Sequence, residues 1–146
     1  MCGIAGILSS ADDTFVPDLK RMKDTLQHRG PDSDGLWTDL DVGIGLAHRR
    51  LAVVDISEAG HQPMASPSGR FVISYNGEIY NHLDLRAELE GVNSTIHWRG
   101  HSDTETLVVA IDTWGLSATV DRLVGCLLYT SPSPRDLSTS RMPSSA

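Results

Sequence analysis

Apolar residues crowd the first eight positions of the chain, and polar ones follow at once. The run GIAGIL at residues 3–8 reads as a short buried strand, and SSADDT after it as a loop. Leu19, Met22 and Leu26 recur at helical spacing, which predicts a helix from Pro17 to Gln27. Proline suits a first helical turn, and Gly30-Pro31 ends the segment. VGIGLAHRRLAVVD, residues 42–55, predicts two strand-like pieces around His48–Arg50, and EAGHQPMASPSG a loop. RFVISYNGEIYN, residues 70–81, reads as a strand running into an Asn-Gly turn.

Leu83 to Glu90 is helix-like and closed by Gly91. TIHW, residues 95–98, is another strand candidate. Ser102 with Glu105 three residues on reads as a capping box, opening a helix TETLVVAIDTW that ends at Gly115. ATVDRLVG, residues 118–125, predicts one more short helix. Strands and helices are mixed with hairpin-length gaps, so the expected class is α+β, layered sheets with helices outside.

Composition narrows the function. The 146 residues suit one domain, with 40% hydrophobic and 21% charged residues. No apolar run approaches the roughly 20 residues that span a bilayer, and the N-terminus lacks the basic and apolar regions of a signal peptide. These features predict a cytoplasmic chain with no membrane partner. The net charge of −7 argues against a nucleic-acid partner, which would call for clustered Lys and Arg. Two cysteines, Cys2 and Cys126, make no disulfide framework. His97 and His101 stand four apart, but no Glu follows His97, so no metal site is expected.

Cys2 carries the first candidate chemistry. Trimming of Met1 would leave Cys2 with a free α-amino group, whose ordinary pKa is about 7.7–8. Nucleophile and general base then share one residue. Alone, Cys2 is more readily explained as a small apolar residue at a chain end. Asn76-Gly77 sets an amide side chain beside an unhindered backbone N–H, the two donors an oxyanion hole needs; an Asn-Gly hairpin turn is the commoner explanation. Arg49 and Arg50 offer forks for a carboxylate. Asp103 starts a helix, where capping would explain it, and Glu78 fits a solvated turn.

In this order, MCGIAGI, HRGPD (residues 28–32), HRRLAVVD, GHQPM, NGEIYN and GHSDTE resemble the class II glutamine amidotransferase domain. The wording is most similar to that of the glutamine-hydrolysing asparagine synthetases, over Met1 to about Gly125. The resemblance implies an N-terminal nucleophile hydrolase fold, an αββα sandwich of antiparallel sheets. It implies Cys2 as the nucleophile that forms a glutamyl thioester, and Asn76 and Gly77 as the oxyanion hole. Arg50 would grip the glutamine α-carboxylate, Glu78 and Asp103 would receive its α-ammonium, and Val53 and Val54 would offer backbone contacts. The partners implied are glutamine and a C-terminal synthetase domain, in a protein that is a homodimer when full length. That domain would use ATP and Mg to adenylate aspartate, and ammonia would displace AMP; no cofactor is implied for the residues present here. Two alternatives stay open: a class II amidotransferase with a phosphosugar or phosphoribosyl acceptor, and a non-catalytic module of the same fold.

After Gly125 the composition turns to Ser and Pro. A disordered tail would explain this. A sharper reading is that CLLYTSPSPRD resembles a translated transposase adapter from short-read sequencing libraries, and SRMPSSA its far end. Residues 1–125 are then a partial amidotransferase domain, and 126–146 a non-native, disordered tail. The family's apolar central strand after LVG is replaced by CLLYTS, so the sandwich is expected to be incomplete at its C-terminus. Lost core strands cost more burial than a marginally stable domain can spare, and the fragment by itself is expected to be unstable or inactive.

Overall fold

A computed structural model describes residues 2–10, 13–52 and 57–130 of the chain. Two small antiparallel sheets lie face to face, each with a helical layer outside. The first has order β1-β3-β2, with β1 Gly3–Leu8, β2 Ser33–Asp39 and β3 Ile44–Arg50. Its register pairs Gly3 with Arg49, Ile4 with His48, and Gly35 with His48 on the other side. The second has order β4-β5-β6, with β4 Met64–Ala65, β5 Val72–Ile79 and β6 Gly125–Thr130. Helix α1, Val16–Thr25, covers the first sheet. Helices α2, His82–Val92, and α3, Asp103–Trp114, lie beyond the second, and α4, Leu116–Val120, follows α3.

The two-residue strand period decides which side chains meet. Ala5 and Ala47 point outward to Phe15 and Leu19 of the α1 side, making one core. Ile73, Tyr75 and Ile79 of β5 point to α2 and α3, where Leu85, Leu89 and Leu107–Ile111 complete a larger core. The alternate residues of each strand face the opposite sheet. Among the described residues, hydrogen bonds that cross that gap include the Cys2 N–H to Asn76 Oδ1, 3.1 Å, and His48 Nδ1 with Ser74 Oγ, 3.0 Å. The α+β class and the αββα layering expected from the motifs are thus present. Among the described residues no helix is long and apolar enough to cross a membrane.

Several local expectations are corrected. Strand β2 escapes periodicity because its SDGLWTD sequence is poor in strand formers and its apolar pair is adjacent, not alternating. The first of the two pieces expected around His48–Arg50 is β3, which runs through to Arg50; the second falls mostly on residues 53–55, outside the described residues. Asn76-Gly77 is no turn: β5 continues to Ile79 because Asn76 and Gly77 pair with Leu128 and Leu127 of β6. Gly91 does not close α2, which runs on to Val92. TIHW forms no strand; Ile96 and Trp98 are anchored by packing on the larger core. The last helix covers 116–120, not 118–125. Of the residues expected as disordered tail, Cys126–Thr130 lie in β6, while 131–146 are outside the described residues.

Candidate active site

Cys2 sits just before β1, half-buried, where the end of β3 and the middle of β5 converge. Its Sγ lies 3.4 Å from the Leu51 N–H and 3.8 Å from the Leu51 carbonyl. The Cys2 N–H donates to Asn76 Oδ1 across 74 residues of sequence. With Oδ1 occupied as an acceptor, the amide of Asn76 turns its donor side, Nδ2, away from that bond.

The edge of β5 away from β6 explains Gly77. Strand β4 pairs only with Val72 and Ile73, so beyond them this edge has no strand neighbour. The Tyr75 N–H donates to Gln62 Oε1, 2.6 Å, and the Ile79 N–H to Asp103 Oδ2, 3.0 Å. Alternate residues share an edge, so the Gly77 N–H points the same way between those two. A Cβ at Gly77 would come within 2.2 Å of the Cys126 carbonyl and 2.7 Å of Tyr75 Oη, so only glycine fits. The Tyr75 hydroxyl is buried without a hydrogen-bond partner among the described residues; burial, and then the charge of Asp103, raise its pKa. Glu78 is exposed on the Asn76 side of the strand. Asp103 is buried at the start of α3 with one carboxylate oxygen already committed to Ile79.

The two arginines of HRRL separate by strand alternation. Arg49 turns to the α1 side, where it pairs with Asp24 and Asp34 and bonds the Lys23 carbonyl. Lys23 also pairs with Asp34, and that hydrogen bond holds the Asp34 carboxyl below its usual range. Arg50 turns to the Cys2 face; its Nη1 donates to the Ser57 carbonyl, 2.9 Å, and the guanidinium lies against Gly60. Val53 and Val54 lie outside the described residues.

The loop that delivers Asp103 is tied by a side chain that the capping-box reading misassigned. Ser102 caps α3, accepting from the Thr104 N–H. Glu105 does not turn back to Ser102. It accepts from the backbone N–H groups of Arg99 and Gly100 and pairs with Arg86, whose guanidinium stacks 4.1 Å over Trp98. Arg86 also holds the carbonyls of Gly100 and Ser102. His48 is 1% exposed and is pulled down to about 4 by burial, with Arg50 and His61 adding repulsion. His48, Gln62 and Arg86 were not singled out for the site by sequence reasoning; each sat inside HRRL, GHQPM or the helix-like segment Leu83–Glu90, with no local signal of its role.

A half-buried thiol beside an N–H, with a strand-edge amide pair at its side, belongs to thiol acyl-transfer chemistry. The profile of the glutamine amidotransferase domain family matches residues 1–130, and the chain belongs to that family. It is 40% identical over 112 residues to asparagine synthetase [glutamine-hydrolyzing] 1 of Bacillus subtilis (strain 168), covering 74% of this chain and 17% of that protein. It is 36% identical over 138 residues to asparagine synthetase [glutamine-hydrolyzing] 1 of Arabidopsis thaliana, covering 93% and 22%. Amidase chry2 of Gibberella zeae is 30% identical over 128 residues, covering 80% and 19%. The chain thus spans only about a fifth of the length of these relatives.

Proposed function

We propose that this chain is the glutaminase half of a glutamine-dependent asparagine synthetase. The Cys2 thiolate attacks the side-chain carboxamide of glutamine, the C–N bond breaks, and ammonia leaves. Water then hydrolyses the glutamyl thioester to glutamate and restores the thiol. Once Met1 is removed, the Cys2 α-amine takes the thiol proton and passes it to the leaving nitrogen. The amine keeps a donor for Asn76 Oδ1, so the bond that orients the amide also orients the amine. Asn76 Nδ2 and the Gly77 N–H hold the oxyanion, Arg50 the α-carboxylate, and Glu78 and Asp103 the α-ammonium, with Val53 and Val54 lending backbone contacts. Pairing both charged groups rejects analogues lacking either.

The ammonia serves amidation of aspartate in a C-terminal domain outside this chain, which would bind and use ATP and Mg. The protein is cytoplasmic, a homodimer at full length, and takes no nucleic acid. The contact of Cys2 with Asn76 carries the reading, because it brings nucleophile and oxyanion donor together across the two sheets. The amidase relative favours one other reading, the same glutaminase serving a different acceptor. We further propose that residues 1–125 are the domain and 126–146 a foreign tail; β6 pairs through backbone, which any extended apolar run supplies. Long-read sequencing of the source decides this, since a continuation other than CLLYTSPSPRD is expected.

The direct test is Cys2→Ala in the full-length protein. Glutamine hydrolysis should fall by about a thousandfold or more, while synthesis from free ammonia continues. Unchanged hydrolysis would leave only the non-catalytic module.

A further inference from the structure

We propose that Gln62 is a positioning residue for the oxyanion donor at Gly77, an inference that rests on the glutaminase reading above. Gln62 is 6% exposed. Its Oε1 accepts from the Tyr75 N–H at 2.6 Å and its Nε2 donates to Thr104 Oγ1 at 3.2 Å. Thr104 is the neighbour of Asp103, whose carboxylate takes the Ile79 N–H. One buried polar chain therefore runs from Tyr75 through Gln62 and the start of α3 to Ile79, bridging β5 on both sides of Gly77.

The bracket has two consequences. First, it blocks the edge N–H groups before and after Gly77, so an incoming oxyanion meets one backbone donor and not three. Second, it fixes the direction of that donor. Glycine is the loosest residue in a strand, and β4 ends too early to hold it by pairing. Side-chain bonds at residues 75 and 79 replace the missing ladder and leave Gly77 open between them. The backbone of Gln62 is itself braced: its carbonyl lies 2.1 Å from where a Cβ on Gly35 of β2 would stand. The bracket thus refers the donor to both sheets, the first of which carries Cys2.

Oxyanion donors act on charge that develops in the transition state, so misaiming one lowers kcat more than it changes KM. The experiment uses the full-length protein, with active sites counted by a thiol-reactive glutamine analogue. Gln62→Met keeps length and loses both bonds. The expected result is about a tenfold or greater fall in kcat per titrated Cys2 for glutamine hydrolysis, with KM within about twofold. Thr104→Val should move kcat the same way by less, and Gln62→Glu, which retains an acceptor for Tyr75, should recover part of the loss. Hydrogen exchange at the Tyr75 amide should quicken in Gln62→Met. A kcat per titrated site equal to wild type, with the Tyr75 amide exposed, would overturn the proposal; so would a change confined to KM. Should Gln62→Met fail to fold, Thr104→Val carries the same test. Full hydrolysis by Cys2→Ala would mark failure of the glutaminase reading, and the catalytic role given to Gln62 would fall with it.

Discussion

His48 pairs with Ile4, two residues beyond Cys2, and its buried ring makes folding sensitive to acid. In the unfolded chain the imidazole takes a proton near pH 6.5; in the folded chain it resists until about pH 4. Between those values the unfolded state binds more protons, so stability falls as pH drops through this window. The loss reaches about 3 kcal/mol at most, and the curve is flat above the window. Asp34, held low by Lys23, adds its own loss only at still lower pH. Urea unfolding between pH 7.5 and 4.5 should show the slope, and His48→Gln, which keeps an amide for Ser74, should flatten it. An equal slope in the variant would assign it elsewhere. Gly77 gives the second prediction at this scale. Gly77→Ala drives a methyl into the Cys126 carbonyl and should destabilise by about 2 kcal/mol or more.

At the scale of elements, the segment before α3 shows how a loop is made rigid without regular structure. Glu105 is 3% exposed, and its four contacts reach Arg86, Arg99 and two backbone N–H groups. Breaking one side of such a buried pair strands the other charge. Glu105→Gln should lower stability by about 3 kcal/mol and loosen Asp103, read as a raised KM for glutamine in the full-length protein. An unchanged KM would show that Asp103 is held by Ile79 alone. Helix α3 itself was legible: Ser102, the apolar run and Gly115 mark its ends in local sequence. Glu105 has the spacing of a capping box but a stronger competitor in Arg86, which comes from another helix.

Across the whole molecule, two cores share a thin polar seam. Each sheet is covered by its own helical layer, and the described polar bonds between sheets are those of Cys2 with Asn76 and His48 with Ser74. The catalytic candidates therefore lie in the seam, where a small shift of one sheet separates Cys2, the proposed nucleophile, from Asn76, the proposed oxyanion donor. Strand β6 matters for the same reason, since it holds the far edge of β5 and pairs Leu127 with Gly77. A chain ending at Val124 should melt lower than one ending at Thr130 in calorimetry, by several degrees; equal melting would remove β6 from the cooperative unit.

By itself the sequence determined the order of motifs, the candidate nucleophile at position two, and the elements whose signals are local: β1 with its apolar run, α1 with its 3.6 period, α3 with its cap and glycine. Those signals are set within a few residues of each other, so no partner is needed to read them. Tertiary structure alone decided that Asn76-Gly77 is strand and not turn, because its pairing partner lies some fifty residues on in β6. It decided that SDGLWTD is strand, through pairing with β3. It divided Arg49 from Arg50 by sending one to α1 and the other toward Cys2. It also placed Gln62 on the Tyr75 N–H, since a hydrogen bond between a loop and a strand edge depends on how the sheets are stacked and leaves no period in the chain.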